Sequence, residues 1–322
     1  MEMQSKFTWT TFKDIFVFLV LALIVIGFSA VSINFLNPAN IINILRMSVP
    51  ILLVSCGATL IMVAAQIDLS VGSMVSLSGV IYCILLKNGF GFLVGTVLTL
   101  GLGILMGYIN GLLVMKLRIV PVIATLVTLY LFRGIAWTLT PRQIGLIKGN
   151  MPAGINDFAR APVFLGLPAA FYVAVAIIII MVIVQKKTVL GKYTAAIGGN
   201  MTAAELSGIN VVWTIWILYI ITGFLSSIGG IARASYLSMG DPMTGNLMEL
   251  EAIIAILLGG TRFYGGEGSV LKTAVGALII MCVSIGMTVL WIPPYWQSFA
   301  KGIVLIGTVA VYTLITTKVE GQ

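Results

Sequence analysis

The sequence contains no histidine, and charged residues occupy only 9% of its 322 positions. Without imidazole there is no His-based zinc site and no Ser-His-Asp or Cys-His catalytic set. A soluble domain usually carries about a quarter charged residues. A chain with so few cannot cover a water-facing surface, so lipid has to solvate much of its exterior. Cysteine is also scarce. Cys56, Cys83 and Cys282 stand singly inside apolar stretches, the setting of a reduced, buried thiol. No metal or cofactor site is expected. A phosphate loop of the form Gly-x-x-x-x-Gly-Lys-Ser/Thr is missing too. The only Gly-Lys pair, Gly191-Lys192, is followed by Tyr193, so this motif supplies no means of hydrolysing ATP.

What the sequence does have is apolar length: 60% of its residues are hydrophobic. Ten apolar runs span about 15–31, 47–65, 71–86, 92–115, 120–140, 164–184, 212–231, 247–258, 270–290 and 299–316. At roughly 30 residues per pass with its loop, the length accommodates the same number of helices. The expectation is an all-α integral membrane protein of about ten transmembrane helices, forming one domain over 1–322. Glycine, at 35 residues, is spread through these runs, where it lets helices approach closely without a hydrophobic drive.

The net charge of +8 reports orientation, because Lys and Arg are retained on the cytoplasmic side. Nucleic acid is excluded as a partner, since the basic residues sit singly between apolar runs and form no face. Lys116, Arg118, Lys186, Lys187, Lys192, Arg262, Lys272 and Lys318 can all be placed inside, which puts both termini in the cytoplasm. Arg142, Lys148 and Arg160 break the rule, falling in the outer loop 141–163. The inner loop 185–211 is mixed polar and apolar, with a short helix expected within 194–208. The stretch 232–246, rich in turn residues, reads as a loop. Trp9, Trp137, Trp213, Trp291 and Trp296 lie near run ends, as an aromatic belt requires.

Two runs are too short. The eighth, 247–258, would be about 18 Å long as a helix, against about 30 Å of hydrocarbon. It opens on Glu249 and Glu251 and closes at Gly259-Gly260. The third follows Asp68-Leu69-Ser70. A helix that ends inside a membrane survives only against protein or a water-filled cavity. The breaks fall at comparable places in two stretches, about 47–140 and 212–316. That predicts an inverted repeat with short discontinuous helices and a solute route between the halves. Asp68, Glu249 and Glu251 either cap helices at the positive end of the dipole or line that route. Arg133, well inside the fifth run, either snorkels to the outer interface or pairs with an acid.

Gln66-Ile67-Asp68-Leu69-Ser70-Val71-Gly72-Ser73 resembles the motif after the second helix in ribose-type permeases of bacterial ABC importers. Asn110-Gly111-Leu112-Leu113, the segment Val120-Pro121-Val122-Ile123-Ala124-Thr125-Leu126, and Phe132-Arg133-Gly134 resemble the next blocks. Gly198-Gly199-Asn200, Ala203-Ala204 and Ser207-Gly208-Ile209 are similar to the cytoplasmic loop of that family. Asp241-Pro242, Glu249-Leu250-Glu251-Ala252-Ile253, Leu258-Gly259-Gly260-Thr261 and Gly265-Gly266-Glu267-Gly268-Ser269 follow in order. Gln66 stands where glycine is usual, and Val127 where glycine is common.

The resemblance implies a permease in the bacterial inner membrane that pairs with a second permease subunit. ATP-binding cassette ATPase subunits would drive it, and a periplasmic sugar-binding protein would deliver a pentose, hexose or related polyol. Asp68, Ser70, Asn110, Arg133, Glu249 and Glu251 become candidates for the route. Gly199, Asn200, Ala204, Glu205 and Gly208 become candidates for docking the ATPase. The competing expectation is an ATP-independent carrier or channel for a small polar solute.

Overall fold

The computed structural model describes residues 2–140 and 154–320, and its regular structure is almost entirely helical. The first half comprises α1 (Glu2–Val31), α2 (Pro38–Val63), α3 (Val71–Lys87), α4 (Phe92–Gly111) and α5 (Pro121–Leu139). A π-helical turn, Leu112–Lys116, extends α4. A small hairpin of β1 (Pro162–Phe164) and β2 (Leu167–Pro168) precedes α6 (Ala169–Lys187). Two short helices follow, α7 (Val189–Gly199) and α8 (Met201–Leu206). The chain continues through α9 (Val211–Leu237), α10 (Met248–Leu258), α11 (Val270–Val289) and α12 (Pro294–Glu320). Among the described residues, six helices are long and apolar enough to cross a membrane: α2, α4 with its π turn, α5, α6, α9 and α11. The protein is a multi-pass, all-α membrane protein.

Local chemistry sets the boundaries. Pro38 opens α2, where a missing N–H costs nothing, and the Asn37 side chain accepts the Ala39 amide. The Asn210 carboxamide accepts the Trp213 amide (2.9 Å) at the start of α9. Ser238, left-handed at φ 57°, ends that helix.

α2 and α9 form the centre, and buried residues run along both. α4 and α3 pack on α9, while α11 and α10 pack on α2. α3 also meets α5, and α10 meets α12. A Cβ on Gly107 of α4 would lie 2.2 Å from the Tyr219 carbonyl oxygen of α9, so those two backbones touch. The outer helices turn large apolar side chains outward, including Leu93, Tyr130 and Ile180. In water each would forfeit roughly 25 cal/mol per Å² of apolar surface left uncovered. Against lipid tails it forfeits nothing. Trp137, Trp213, Trp291 and Trp296 are exposed, as a belt requires; the Trp9 side chain lies outside the described residues.

Three expectations need correcting. The stretch 232–246 is not all loop: α9 carries on to Leu237, and irregular backbone begins only at Ser238. Gly229 and Gly230 lie within that helix, and a Cβ on Gly230 would sit 2.5 Å from the Val75 carbonyl oxygen. The sixth run begins late, because Phe164 belongs to the hairpin and α6 starts at Ala169. The stretch 185–211 holds two helices instead of one, broken at Asn200. Arg142 and Lys148 lie outside the described residues; Arg160 donates from Nε to the Tyr236 carbonyl (2.6 Å) and lies over the Tyr236 ring.

Candidate functional site

α2 stops at Val63. Ala65 turns left-handed (φ 57°) and donates its amide to the Met62 carbonyl (2.9 Å), while the Gln66 amide reaches Ile61 (3.0 Å). These bonds close the helix end. The chain then runs through Gln66–Ser70 without regular structure, and the Tyr219 hydroxyl of α9 donates to the Ile67 carbonyl (3.2 Å).

Asp68 fixes where α3 begins. Its Oδ1 accepts the Ser70 amide (2.8 Å) and the Ser70 hydroxyl (2.6 Å). Asn110, at the end of α4, donates from Nδ2 to Ser70 Oγ (2.7 Å) and stands 3.5 Å from both Asp68 carboxylate oxygens. All three side chains are buried. The serine hydroxyl therefore relays between an amide and a carboxylate that lie 42 residues apart. A buried carboxylate is tolerable when such donors surround it.

Glu249, in the first turn of α10, is buried as well. Its Oε2 and the Gln66 Oε1 have no hydrogen-bond partner among the described residues. Both residues line, with Asp68, a cavity of about 10 Å³, room for no more than one water. Gln66, the departure noted in the sequence, thus bears directly on the surroundings of Asp68. As it stands the cavity is closed to any solute larger than water.

Behind Glu249, α3 and the segment before α10 meet without side chains between them. A Cβ on Gly72 would lie 2.3 Å from both Glu249 Oε2 and the Gly245 carbonyl oxygen. The Gly245 amide donates to Ser76 Oγ (3.0 Å). Arg133 of α5 reaches the same segment, donating from Nη1 to Asn246 Oδ1 and from Nη2 to the Gly245 carbonyl (3.2 Å). The partners that hold it are an amide and a carbonyl instead of an acid. Glu251 stands apart from the other route candidates, with its Oε1 paired to Lys301 Nζ of α12.

The docking candidates divide. Gly199, Asn200, Glu205 and Gly208 are exposed, and Asn200 caps α8 by accepting the Ala203 amide (3.0 Å). Ala204 is only 5% exposed and packs into the core of its own chain. It therefore supports α8 from beneath. Sequence reasoning missed Leu206, 85% exposed beside Glu205. It also missed Gln185 of α6. That side chain donates to the Gly268 carbonyl (3.0 Å) and accepts the Val270 amide (2.9 Å), clamping the segment between α10 and α11. Nothing about one glutamine just past an apolar run signals such a clamp; Leu206, an apolar residue between Glu205 and Ser207, was a readable sign.

Comparison with known proteins gives a consistent result. A family described as branched-chain amino acid transport system / permease component matches residues 40–309. The ribose import permease protein of Haemophilus influenzae is 33% identical over 301 residues, covering 94% of this chain and 93% of that protein. Its counterpart in Bacillus subtilis is 35% identical, over 90% and 89%. The autoinducer 2 import system permease protein LsrC of Salmonella paratyphi B is 34% identical, over 80% and 73%. No solved structure matches.

Proposed function

The chain belongs to this family of transport-system permease components, and from that we propose that it is the membrane-spanning subunit of an ATP-binding cassette importer for a small sugar. The solute is a pentose, a hexose or a related polyol. The observation that carries the reading is similarity along nearly the whole chain to ribose import permeases.

The chain spans the bacterial inner membrane ten times, through α1 to α6 and α9 to α12, with both termini in the cytoplasm. Its single domain, 1–322, is built from two inverted repeats, about 47–140 and 212–316. The packing supports this arrangement. α3 lies on α9 and α4 and meets α5, while α10 lies on α2 and α11 and meets α12. Each half therefore lends its first helix to cradle the broken helix of the other. The irregular segments 64–70 and 238–247 enter from opposite sides. Asp68 and Ser70 of the first segment, Asn110 of α4 and Glu249 of α10 form the joint, with Arg133 bracing it from α5. A gated route needs such a joint, because irregular backbone at membrane depth is tolerated only inside protein or beside water.

ATP is hydrolysed on separate subunits that dock on α7 and α8, and a second permease subunit completes the route. A periplasmic sugar-binding protein supplies the solute. Gly199, Asn200, Glu205, Leu206 and Gly208 form the docking face. From there a push reaches Val63 at the end of α2, and through it the Asp68 segment. The Gln185 clamp passes it to the segment between α10 and α11.

Purification of the tagged chain with a candidate ATPase and binding protein, followed by reconstitution in liposomes, tests the reading. ATP-dependent uptake of radiolabelled ribose or another monosaccharide is the expected result. Uptake by the chain alone, driven by an ion gradient, would instead establish a secondary carrier.

A further inference from the structure

A second polar cavity lies apart from the Asp68 joint, between α2, α9, α10, α11 and the start of α12. Its volume is about 250 Å³. At roughly 30 Å³ per water it holds about eight waters, which is space for one monosaccharide-sized solute.

The lining is unusual for this chain. Charged residues are rare in it, yet Arg233, Glu251 and Lys301 all face this one space, beside Asn246, Ser284 and Gln297. Glu251 and Lys301 satisfy each other. Arg233 does not share in that pair. Its Nη1 lies 3.3 Å from the Met47 sulfur, a weak acceptor, and its Nε is buried with no hydrogen-bond partner. The Ser284 hydroxyl is buried and unpartnered as well. A guanidinium carries five donors, and leaving them unmet beside apolar helices is costly. Such an arrangement persists when water or a solute supplies the acceptors.

We propose that this cavity is a binding subsite for one small neutral polyol, a station on the solute route of the permease reading above. The chemistry of the lining selects the class. Arg233 and Lys301 offer donors, whereas Glu251 offers an acceptor and Ser284 and Gln297 offer both. Vicinal hydroxyls both donate and accept, so a sugar can satisfy every one of these groups. An acceptor-only anion would leave Glu251 facing like charge. Asn246 connects the subsite to the joint, because its Oδ1 already takes the Arg133 Nη1 donor.

The test is protection of an introduced thiol, read on the full-length chain in native membranes and independent of any ATPase. Ser284→Cys is labelled with a small hydrophilic methanethiosulfonate reagent; the parent, whose three cysteines are buried, is the blank. Labelling is expected. D-ribose, D-xylose, D-glucose, D-galactose or ribitol, at ten times its half-protecting concentration, should slow it roughly tenfold by mass action. Arg233→Met in that background should raise the half-protecting concentration by roughly tenfold. No labelling, labelling that none of these polyols slows, or protection by gluconate alone would each overturn the proposal. Should Ser284→Cys fail to insert, Thr288→Cys on the same wall carries the same test. A protected thiol in a complex that shows no ATP-driven uptake would refute the importer alone. Normal uptake with an unprotected thiol would refute the subsite alone.

Discussion

Gly198 of α7 presses directly on Val63 of α2: a Cβ added to Gly198 would lie 1.8 Å from the Val63 carbonyl oxygen and 2.5 Å from the Gly266 amide nitrogen. The Gly266 amide also donates to that same carbonyl (2.9 Å). One peptide of α7 thus touches the end of α2 and the segment between α10 and α11 together. Gly198→Ala has to part these backbones. It should lower stability by about 1–3 kcal/mol, the usual cost of overpacking, and depress ATP-driven uptake further than the loss of folded protein explains. Melting in detergent and uptake per inserted molecule are the two measurements. Equal loss in both would make the contact structural only.

The Asp68–Ser70–Asn110 relay should behave as a unit. Ser70→Ala removes the donor to Asp68 and the acceptor for Asn110 at once; Asn110→Leu removes the donor to Ser70. Each should cost about 1–3 kcal/mol, because a buried polar group is left unmet. The double variant should cost clearly less than the two added together, since both remove the same bond. A thermal-melt cycle over the four chains decides it, and additive losses would show that the three residues do not share a network.

The docking face makes a prediction that separates surface from support. Glu205→Lys and Leu206→Asp alter exposed residues. They should leave membrane abundance and melting nearly unchanged, within about 0.5 kcal/mol, while uptake falls at least severalfold. Ala204→Trp forces bulk under α8 and should do the opposite, destabilising the chain. Abundance by immunoblot and uptake in the same vesicles distinguish the two.

Much of this was legible in the sequence wherever the signal is local. The brevity of α10 follows from the acids at 249 and 251 and the Gly-Gly at 259, all within a dozen residues. The break before α3 is written in Asp68 and Ser70. What escaped was tertiary. Ala232–Leu237 looks like loop because of the turn residues after it, but those six residues continue the 3.6-residue register of α9. Ala204 and Glu205 are adjacent and equally plausible as surface until the packing beneath α8 is known. Arg133 had two readings on its own helix, and its partners came from a segment more than a hundred residues away. The surroundings of Arg233 escaped for the same reason: the five elements around its cavity are brought together only by the fold.

Glu251 and Lys301 should be interdependent. Their side chains are about one-fifth exposed, so the pair is partly desolvated. Glu251→Gln or Lys301→Met alone strands a charge against apolar helices and should cost more than about 1 kcal/mol. The double variant should recover most of that loss, because no isolated charge remains. Melting temperatures of the three variants test this, and a double variant no better than the singles would mean that the pair contributes nothing as a pair.

The seam between α3 and the segment before α10 gives the sharpest contrast between two glycines. A methyl group at Gly72 would lie 2.3 Å from the Gly245 carbonyl oxygen and from Glu249 Oε2, and the Gly245 backbone is held against withdrawal by its bonds to Ser76 and Arg133. Gly101, on the outer face of α4, has nothing within 4 Å of the same position. Gly101→Ala should therefore stabilise the protein or leave it unchanged, by up to about 1 kcal/mol from helix propensity alone. Gly72→Ala should destabilise it by about 1–3 kcal/mol and abolish uptake, because the two broken segments could no longer meet. If both alanines melt together with the parent, α3 and the Gly245 segment are not in backbone contact, and the joint through which a cytoplasmic push is argued to reach the route does not exist.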